Sequence, residues 1–289
     1  MRAMPRDQDK VWRAELAVEL GTRVLGVETI RGGDVCDAYH ARLADGRDVF
    51  VKLHRGAPAG MFATEAAGLA WLRPGPLRVP EVLAVGDNWL ALEWLILGAR
   101  APGDAFVEQL GRGLAGLHRV GAASFGFDED NFLATLAQPN APAADWPTFY
   151  VERRLRPLIE RGVASGAIPD VRRELDVLAA HPERFGPAEP PARLHGDLWW
   201  GNVGSSHGAP VVFDPAVYGG HREIDLAMLA LFGELPDPLI AAYDEVWPLA
   251  DGWRDRLRLH QLYPLAAHAV MFGAGYGAQV AHALATIVR

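Results

Sequence analysis

Cysteine is nearly absent from this sequence, since Cys36 is the one cysteine among 289 residues. A lone thiol cannot form an intramolecular disulfide, so the sequence excludes a small disulfide-stabilised secreted domain and favours a reducing compartment. The first ten residues are polar and charged, and we therefore expect no secretory signal. Together these observations predict a cytoplasmic protein.

Positive charge and long hydrophobic runs are also scarce. The formal net charge is -8, which argues against a nucleic acid or an anionic membrane as partner. The most apolar run, Trp89 to Leu97, is short and contains Glu93, so no membrane span is expected. Half of the residues are hydrophobic, which suffices for one large domain or two small lobes. The composition leaves monomer and dimer both open.

Acidic and amide side chains, by contrast, come together in one region. Asp197 and Asn202 lie five residues apart in the segment HGDLWWGN, and Asp214 ends an apolar run that follows a turn over 204–210. Read as loop, turn and strand, this arrangement brings two carboxylates and one amide oxygen to the end of a hairpin. Such oxygens suit Mg²⁺, and the same order occurs in the template for phosphoryl transfer. The alternative is a solvated acidic turn.

The residue identities in and after this segment point to a particular protein family. HGDLWWGN, followed by VFDPAVYGGHREIDLAMLALFG, resembles the fructosamine kinase (ketosamine-3-kinase) family within the wider aminoglycoside phosphotransferase and choline kinase group. The resemblance extends from about Gly32 to Gly233. It implies an α+β, protein-kinase-like bilobal fold. A small β-rich N-terminal lobe would span residues 1–93, and a larger, mainly helical C-terminal lobe would span 94–289, with a hinge at about 93–97.

The resemblance also implies ATP and Mg²⁺ as cofactors. Asp197 would be the catalytic residue that accepts a proton from the substrate hydroxyl, and Asn202 and Asp214 would hold the metal. Lys52 would contact the ATP phosphates and would be positioned by Glu65.

The sequence around Lys52 and Glu65 agrees with these roles. Lys52 is one of only two lysines and lies in an alternating strand pattern over Asp48–Leu53. Glu65 lies one turn into a predicted helix over Met61–Leu72. The alternatives are a surface lysine whose stem is buried and a solvent-facing carboxylate near a helix start.

The remaining nucleotide contacts are implied by position. Gly32 and Gly33 match the family's phosphate-covering loop, although two glycines in a turn are also typical of an ordinary hairpin. Glu93 and Leu95 match the hinge, where backbone groups would hold adenine. Cys36 is expected to be a small packed side chain, with a redox role as the alternative.

Substrate contacts are less determined. Trp199 and Trp200 could stack on a sugar or pack the loop against the helical lobe. His221 and Glu223 could face the substrate or serve as scaffold. For His195 and Asp225 we predict structural support of the catalytic loop. For Asp225 the reason is that a carboxylate in an apolar run needs hydrogen-bond partners.

Three further polar residues, Asn131, Gln138 and Asn140, receive no role from the sequence. Arg153 and Arg154 are predicted to lie on a solvated helix face, with the steering of an anion as the alternative. The resemblance implies a ketosamine acceptor, such as a fructosamine or ribulosamine, phosphorylated at O3 for deglycation repair. The alternatives are another small-molecule kinase, acting on an aminoglycoside, choline or a free sugar, and a nucleotide-binding pseudokinase.

Overall fold

The structure, a computed structural model, describes residues 8–30, 35–101 and 103–289. Its N-terminal part is a five-stranded antiparallel sheet in the order β1-β2-β3-β5-β4. The strands are β1 (Val24–Ile30), β2 (Asp37–Leu43), β3 (Asp48–Leu53), β4 (Val82–Val85) and β5 (Trp89–Glu93). Helix α1 (Gln8–Glu19) precedes the sheet, and helix α2 (Met61–Leu72) connects β3 to β4.

Strand β3 serves two cores because alternate side chains of a strand point to opposite faces. Val49 and Val51 pack in a core with Trp12 of α1. Phe50 packs against the second core, which includes Phe62 of α2 and extends into the C-terminal part. The side of the sheet that carries Phe50 and Lys52 therefore faces the rest of the protein, as the alternating pattern predicts.

The C-terminal part is mainly helical. Its helices are α3 (Ala105–Val120), α4 (Trp146–Phe149), α5 (Arg156–Ser165), α6 (Arg172–Ala179), α7 (Glu223–Leu231), α8 (Asp237–Val246), α9 (Trp253–His260), α10 (Leu262–Phe272) and α11 (Ala274–Ile287). A π-helical segment, Tyr150–Leu155, joins α4 to α5, and short 3₁₀ turns occupy Pro182–Phe185 and Trp200–Asn202. Helix α3 buries a stripe at helical spacing, Phe106, Leu110, Leu114 and Leu117, in the core that it shares with the sheet.

Three small antiparallel hairpins or strand pairs complete this part. Strands β6 (Asn131–Leu133) and β7 (Leu136–Gln138) form one hairpin, and β9 (Val203–Ser206) and β10 (Ala209–Val212) form another. Strand β8 (Ala192–Leu194) pairs with β11 (Tyr218–Gly220). The predicted α+β architecture, with a sheet-rich N-terminal part and a helical C-terminal part, is confirmed.

One local prediction needs correction. Arg154, predicted on a solvated face, is buried because the π-helical segment turns it inward. Within the described ranges, no helix combines the length and the apolar character that crossing a membrane requires.

Candidate active site

A cleft of about 1070 Å³ lies between the sheet and the helical part. Lys52, Glu65 and the segment from Glu93 to Leu95 line its N-terminal side. Its C-terminal side is lined by the β6–β7 hairpin, by the loop that contains Asp197 and Asn202, and by residues of α7, α10 and α11. The predicted acidic, amide and lysine side chains thus face one cavity.

The strand pair β8–β11 and the hairpin β9–β10 bring the acidic residues together. The loop with Asp197 leaves β8, and Asp214 follows β10. Two backbone hydrogen bonds tie these segments, from Ala216 N–H to His195 O at 2.9 Å and from Phe213 N–H to Asn202 O at 3.2 Å. Gly196 has φ +82°, and a Cβ there would lie 2.0 Å from the Ala216 carbonyl oxygen, so this crossing requires glycine.

Asn202 connects the two aspartates. Its Nδ2 donates to the backbone oxygen of Asp197 at 2.9 Å, to Asp197 Oδ2 at 3.1 Å and to the backbone oxygen of Asp214 at 3.4 Å. These bonds occupy its amino group, so the amide oxygen faces away from them. Asp214 itself has φ +59°, a conformation that non-glycine residues rarely adopt and that often marks a functional position.

This donor set fits Mg²⁺. In the described part of the chain, the amide oxygen of Asn202, Asp214 Oδ2 and Asp197 Oδ1 have no hydrogen-bond donor of their own. Three oxygens of carboxylate and amide type are what a hard cation takes from a protein, and phosphates and water supply the rest.

Lys52 sits behind the acids. Its side chain is 8% exposed, and Nζ donates to Glu65 Oε1 at 2.7 Å and to Asp214 Oδ1 at 3.0 Å. Burial alone lowers the pKa of this ammonium, but the carboxylates of Asp214 and Glu65 raise its pKa above the usual value. Lys52 is therefore a fixed cation at the base of the cleft, and it is not a surface lysine.

Asp197 is electrostatically destabilised as an anion. Burial and the nearby charge of Asp214 raise the pKa of its carboxyl to about 8, although the hydrogen bond from Asn202 opposes this. Asp197 thus has a pKa close to neutral pH, which is where a general base works most effectively.

Asp225, by contrast, is fully satisfied. Its two oxygens accept from the backbone N–H groups of His195 at 2.8 Å and Gly196 at 2.9 Å, and Oδ2 lies 3.1 Å from His118 Nε2. Burial raises the pKa of Asp225, but the partners His118 and His195 outweigh it, and the net shift is downward. Asp225 is placed where a support of the catalytic loop would be.

His195 also connects loop segments. Its Nε2–H donates to the carbonyl oxygen of Phe213 at 3.1 Å, which places the proton on this nitrogen. Burial lowers the pKa of the imidazole, so the ring is neutral at pH 7. The side chain therefore links the loop before Asp197 to the residue before Asp214, and it does not line the cleft within the described residues.

Glu93 and Leu95 belong to the predicted hinge. The Glu93 carboxylate is engaged, with Oε1 accepting from Glu81 N–H at 3.1 Å and Oε2 from Arg78 at 3.0 Å. In the described residues, the backbone N–H of Leu95 has no hydrogen-bond acceptor, and both residues line the cleft. Gly32 and Gly33 lie outside the described residues. Cys36 lines the cleft as a thiol, because burial raises its pKa to about 11.

The two tryptophans have different places. Trp199 lines the cleft and is 38% exposed. Trp200 packs away from it, with Nε1–H donating to Glu234 O at 2.8 Å and the Arg100 guanidinium 4.8 Å from its ring centroid. Of the pair, only Trp199 is in a position to contact a substrate in the cleft.

His221 and Glu223 do not reach the cleft. Both are buried, and Glu223 binds Arg256 through both carboxylate oxygens, at 2.6 and 3.0 Å, and lies 3.2 Å from His260 Nε2. These contacts favour the scaffold alternative over contact with a substrate. The two residues are buried because α7 begins at Glu223 and directs its first turn into the helical core.

A buried polar network under the cleft has no counterpart in the sequence interpretation. Asn131 Nδ2 donates to Val217 O at 2.8 Å, and Gln138 Nε2 donates to Asn131 Oδ1 at 2.7 Å. Arg154 Nη2 donates to Asn140 Oδ1 at 2.6 Å, and its guanidinium lies 4.0 Å from the ring centroid of Tyr218. The network fixes the β6–β7 hairpin beside the segment that follows Asp214. The sequence signal that could have indicated this network is the cluster of amide residues between 131 and 140.

The C-terminal helices also contribute side chains to the cleft that the sequence did not predict. His268, Met271, Phe272 and Tyr276, with Phe232 at the end of α7, line the cleft. Their sequence pattern is that of ordinary apolar helices, and only the tertiary fold brings them to the loop that contains Trp199.

Comparison with known sequences identifies a family. The sequence model of the fructosamine kinase family matches residues 10–289. A "probable ketoamine kinase" of Enterococcus faecium is 39% identical over 258 residues, which cover 86% of this chain and 90% of the relative.

Comparison with solved structures agrees. The crystal structure of a "putative fructosamine-3-kinase" from Thermobifida fusca superposes with a TM-score of 0.88 at 42% identity and covers 96% of this chain and 98% of the other. A thermostable mutant of an aminoglycoside phosphotransferase, solved with ADP and hygromycin B, has a TM-score of 0.62 at 15% identity, with 96% and 97% covered. This second likeness shows the fold alone, which is that of protein-kinase-like phosphotransferases.

Proposed function

Because the chain belongs to the fructosamine kinase family and is thus an ATP-dependent phosphotransferase, we propose that it phosphorylates O3 of a ketosamine, an amine that carries a 1-deoxyketose. The observation that carries the proposal is the position of Asp214, which binds Lys52 through Oδ1 and lies beside Asn202 and Asp197. One cluster thereby contains a phosphate-binding cation, oxygen ligands for a metal and a proton acceptor.

Each residue has one role in this proposal. Lys52, held by Glu65, binds phosphate oxygens of ATP, and Asn202 and Asp214 hold Mg²⁺. When bound, Mg²⁺ neutralises charge on the transferring phosphoryl group. Asp197 orients the acceptor hydroxyl and takes its proton as the hydroxyl oxygen bonds to the γ-phosphorus of ATP and the bond from that phosphorus to the bridging oxygen breaks, which releases ADP.

Nucleotide binding completes the assignment. Backbone groups of Glu93 and Leu95 hold adenine, and Gly32 and Gly33 cover the phosphates. The ADP bound to the aminoglycoside phosphotransferase supports an adenine nucleotide here. His195 and Asp225 hold the catalytic loop in place. Most of the rate arises from positioning and from charge neutralisation, because the transferring phosphoryl group needs little covalent help.

The proposed product explains a use for the reaction. C3 adjoins the C2 carbonyl of a ketosamine, so tautomerisation to the 1,2-enaminol lets a phosphate leave from C3. Water then hydrolyses the resulting imine at C1, which breaks the C–N bond and releases the amine. The reaction would remove sugar from glycated amines. A reducing, cytoplasmic location is part of the proposal, in keeping with the single cysteine.

The test is an assay of ADP release with several acceptors. We expect turnover on fructosamines or ribulosamines, a phosphate at O3 in the product by NMR, and no turnover on aminoglycosides, choline or free sugars. Turnover on one of the latter group alone would replace this proposal with that of another small-molecule kinase. Tight ATP binding without turnover on any acceptor would instead indicate a pseudokinase.

A further inference from the structure

One end of the cleft is lined by a continuous row of rings, here called the aromatic wall: Trp199, Phe232, His268, Phe272 and Tyr276. Ring centroids lie 6.4 Å apart between Trp199 and Phe232, and 4.9 Å apart between Phe232 and His268. From His268 the row continues to Phe272 at 5.5 Å and to Tyr276 at 5.1 Å. It begins two residues after Asp197 and crosses from the catalytic loop to α7, α10 and α11.

The wall is exposed although it is apolar. Trp199 is 38% exposed, Phe232 39% and Phe272 58%. Trp199 is nevertheless held in place, since a Cβ on Gly201 would lie 2.2 Å from its ring. Rings that are fixed, contiguous and open to a cavity are typical of a binding surface.

The wall carries no charge. Among the described residues that line the cleft, the charged ones are Lys52, Glu65, Glu93, Asp197 and Asp214, and none of them belongs to the wall. The one titratable ring in its centre is His268, whose Nδ1–H donates to Pro264 O at 2.8 Å. Burial lowers the pKa of His268, so this ring is neutral at pH 7 and its Nε2 is an acceptor.

We propose that the aromatic wall binds the substituent on the amine side of the ketosamine and selects uncharged apolar or aromatic groups over anionic ones. The inference rests on the proposed function. Asp197 and the five rings of the wall line the same cleft, so a substituent on an acceptor whose hydroxyl is at Asp197 has the wall within the same cavity.

The preference for an uncharged substituent follows because the described wall residues offer no charged side chain to pair with an anion. An alkyl or aryl group buries apolar surface against the rings. A carboxylate at the same place loses water and, among the described wall residues, finds neither lysine nor arginine to pair with. Selection therefore acts against charge on the substituent.

The experiment uses three fructosamines that share the sugar and differ in the amine: N-benzyl, N-methyl and N-carboxymethyl. For the unmodified protein we expect kcat/KM to be about tenfold higher for the benzyl than for the methyl compound, and lowest for the carboxymethyl compound. In Phe272→Ala the ratio of kcat/KM for the benzyl compound to kcat/KM for the methyl compound should fall to within about twofold. Phe272 suits this test because its ring is mostly exposed, so its removal leaves the core intact.

Leu25→Ala is the matched control, because Leu25 is also an exposed apolar side chain, at 65%, and does not line the cleft. It should leave all three values unchanged. Equal kcat/KM for the three compounds, or a benzyl advantage that survives in Phe272→Ala, would overturn the assignment of the wall and leave the proposed function standing. No turnover of any of the three would refute the proposed function, and the assignment of the wall with it.

Discussion

Asp225 and Asp197 are two aspartates in one structural unit, yet their surroundings are opposite. Asp225 accepts hydrogen bonds from the backbone of His195 and Gly196, the two residues directly before Asp197. With His118 as third partner, the pKa of Asp225 is lowered despite burial. Asp197 has Asn202 as its donor and Asp214 as a like-charged neighbour, and its pKa is raised to about 8.

The different surroundings distinguish a carboxylate that stabilises the fold from one that is available for a reaction. A buried carboxylate whose oxygens are all satisfied stabilises the fold, and removing it leaves donors unpaired. A buried carboxylate with too few hydrogen-bond donors lowers the stability of the folded protein. Such a carboxylate is expected at a functional site, where a bound cation or a proton from the substrate compensates its charge. The same substitution, aspartate to asparagine, should therefore have contrasting effects at the two positions.

The largest effect is expected for Asp197→Asn. Loss of the proton acceptor should lower kcat by about 10³-fold, within the range of general base catalysis. Stability should be unchanged or slightly higher, because the repulsion between Asp197 and Asp214 disappears. ADP release and thermal unfolding measure the two quantities, and ATP binding should persist. If this variant retains kcat, Asp197 has no part in proton transfer.

Asp225→Asn should affect stability first. An amide can accept with one oxygen only, and its NH₂ group faces the backbone N–H of His195 or Gly196. We expect a loss of about 3 kcal/mol in the free energy of unfolding, measured by urea denaturation. Asp244→Asn, at a partly buried carboxylate that accepts one backbone hydrogen bond from Leu249, is the milder control. Equal stability losses at Asp225 and Asp197 would break the distinction between the two carboxylates.

Local pattern sufficed for strand β3, for helix α2 and for the grouping of Asp197, Asn202 and Asp214. Strand β3 and helix α2 have the predicted bounds, because alternation and helix-ending signals act over a few residues. The grouping of the three oxygen-bearing side chains was within reach because its spacing is a property of one loop and the strand that follows it.

Contacts between distant segments were not predictable in this way. Arg154 has the sequence context of an exposed helix, but the π-helical segment and the rings of Phe149 and Tyr218 enclose it. Phe272 follows Asp197 by seventy-five residues, and no periodicity links them. His221 and Glu223 lie within the segment that resembles the family, yet both are buried. Proximity in sequence to a motif does not determine which side chains enter a cleft; the packing of the helices does.

A third buried group, His221, extends the comparison to pH. Burial, and next the neighbouring ring of His260, lower the pKa of His221 from 6.5 to about 3, with Glu223 opposing and Arg222 and Arg256 adding to the effect. Between these pH values the unfolded chain binds a proton that the folded protein excludes, so stability falls as pH falls below 6.5. From pH 7.5 to 5.5 this group should cost about 1.4 kcal/mol, a smaller effect than those at the two aspartates.

His221→Asn removes this titration and should reduce the loss of stability between pH 7.5 and 5.5 by about 1.4 kcal/mol relative to the unmodified protein, as followed by urea denaturation at each pH. His195 and His268 also have lowered pKa values, but both are present in the two proteins, so their contributions cancel in the difference. His207→Asn, at an exposed turn position with φ +53° that asparagine tolerates, should leave the pH dependence unchanged. If His221→Asn instead retains the full pH dependence, burial does not control the charge of His221. The attribution of the raised pKa of Asp197 to burial then has no independent support.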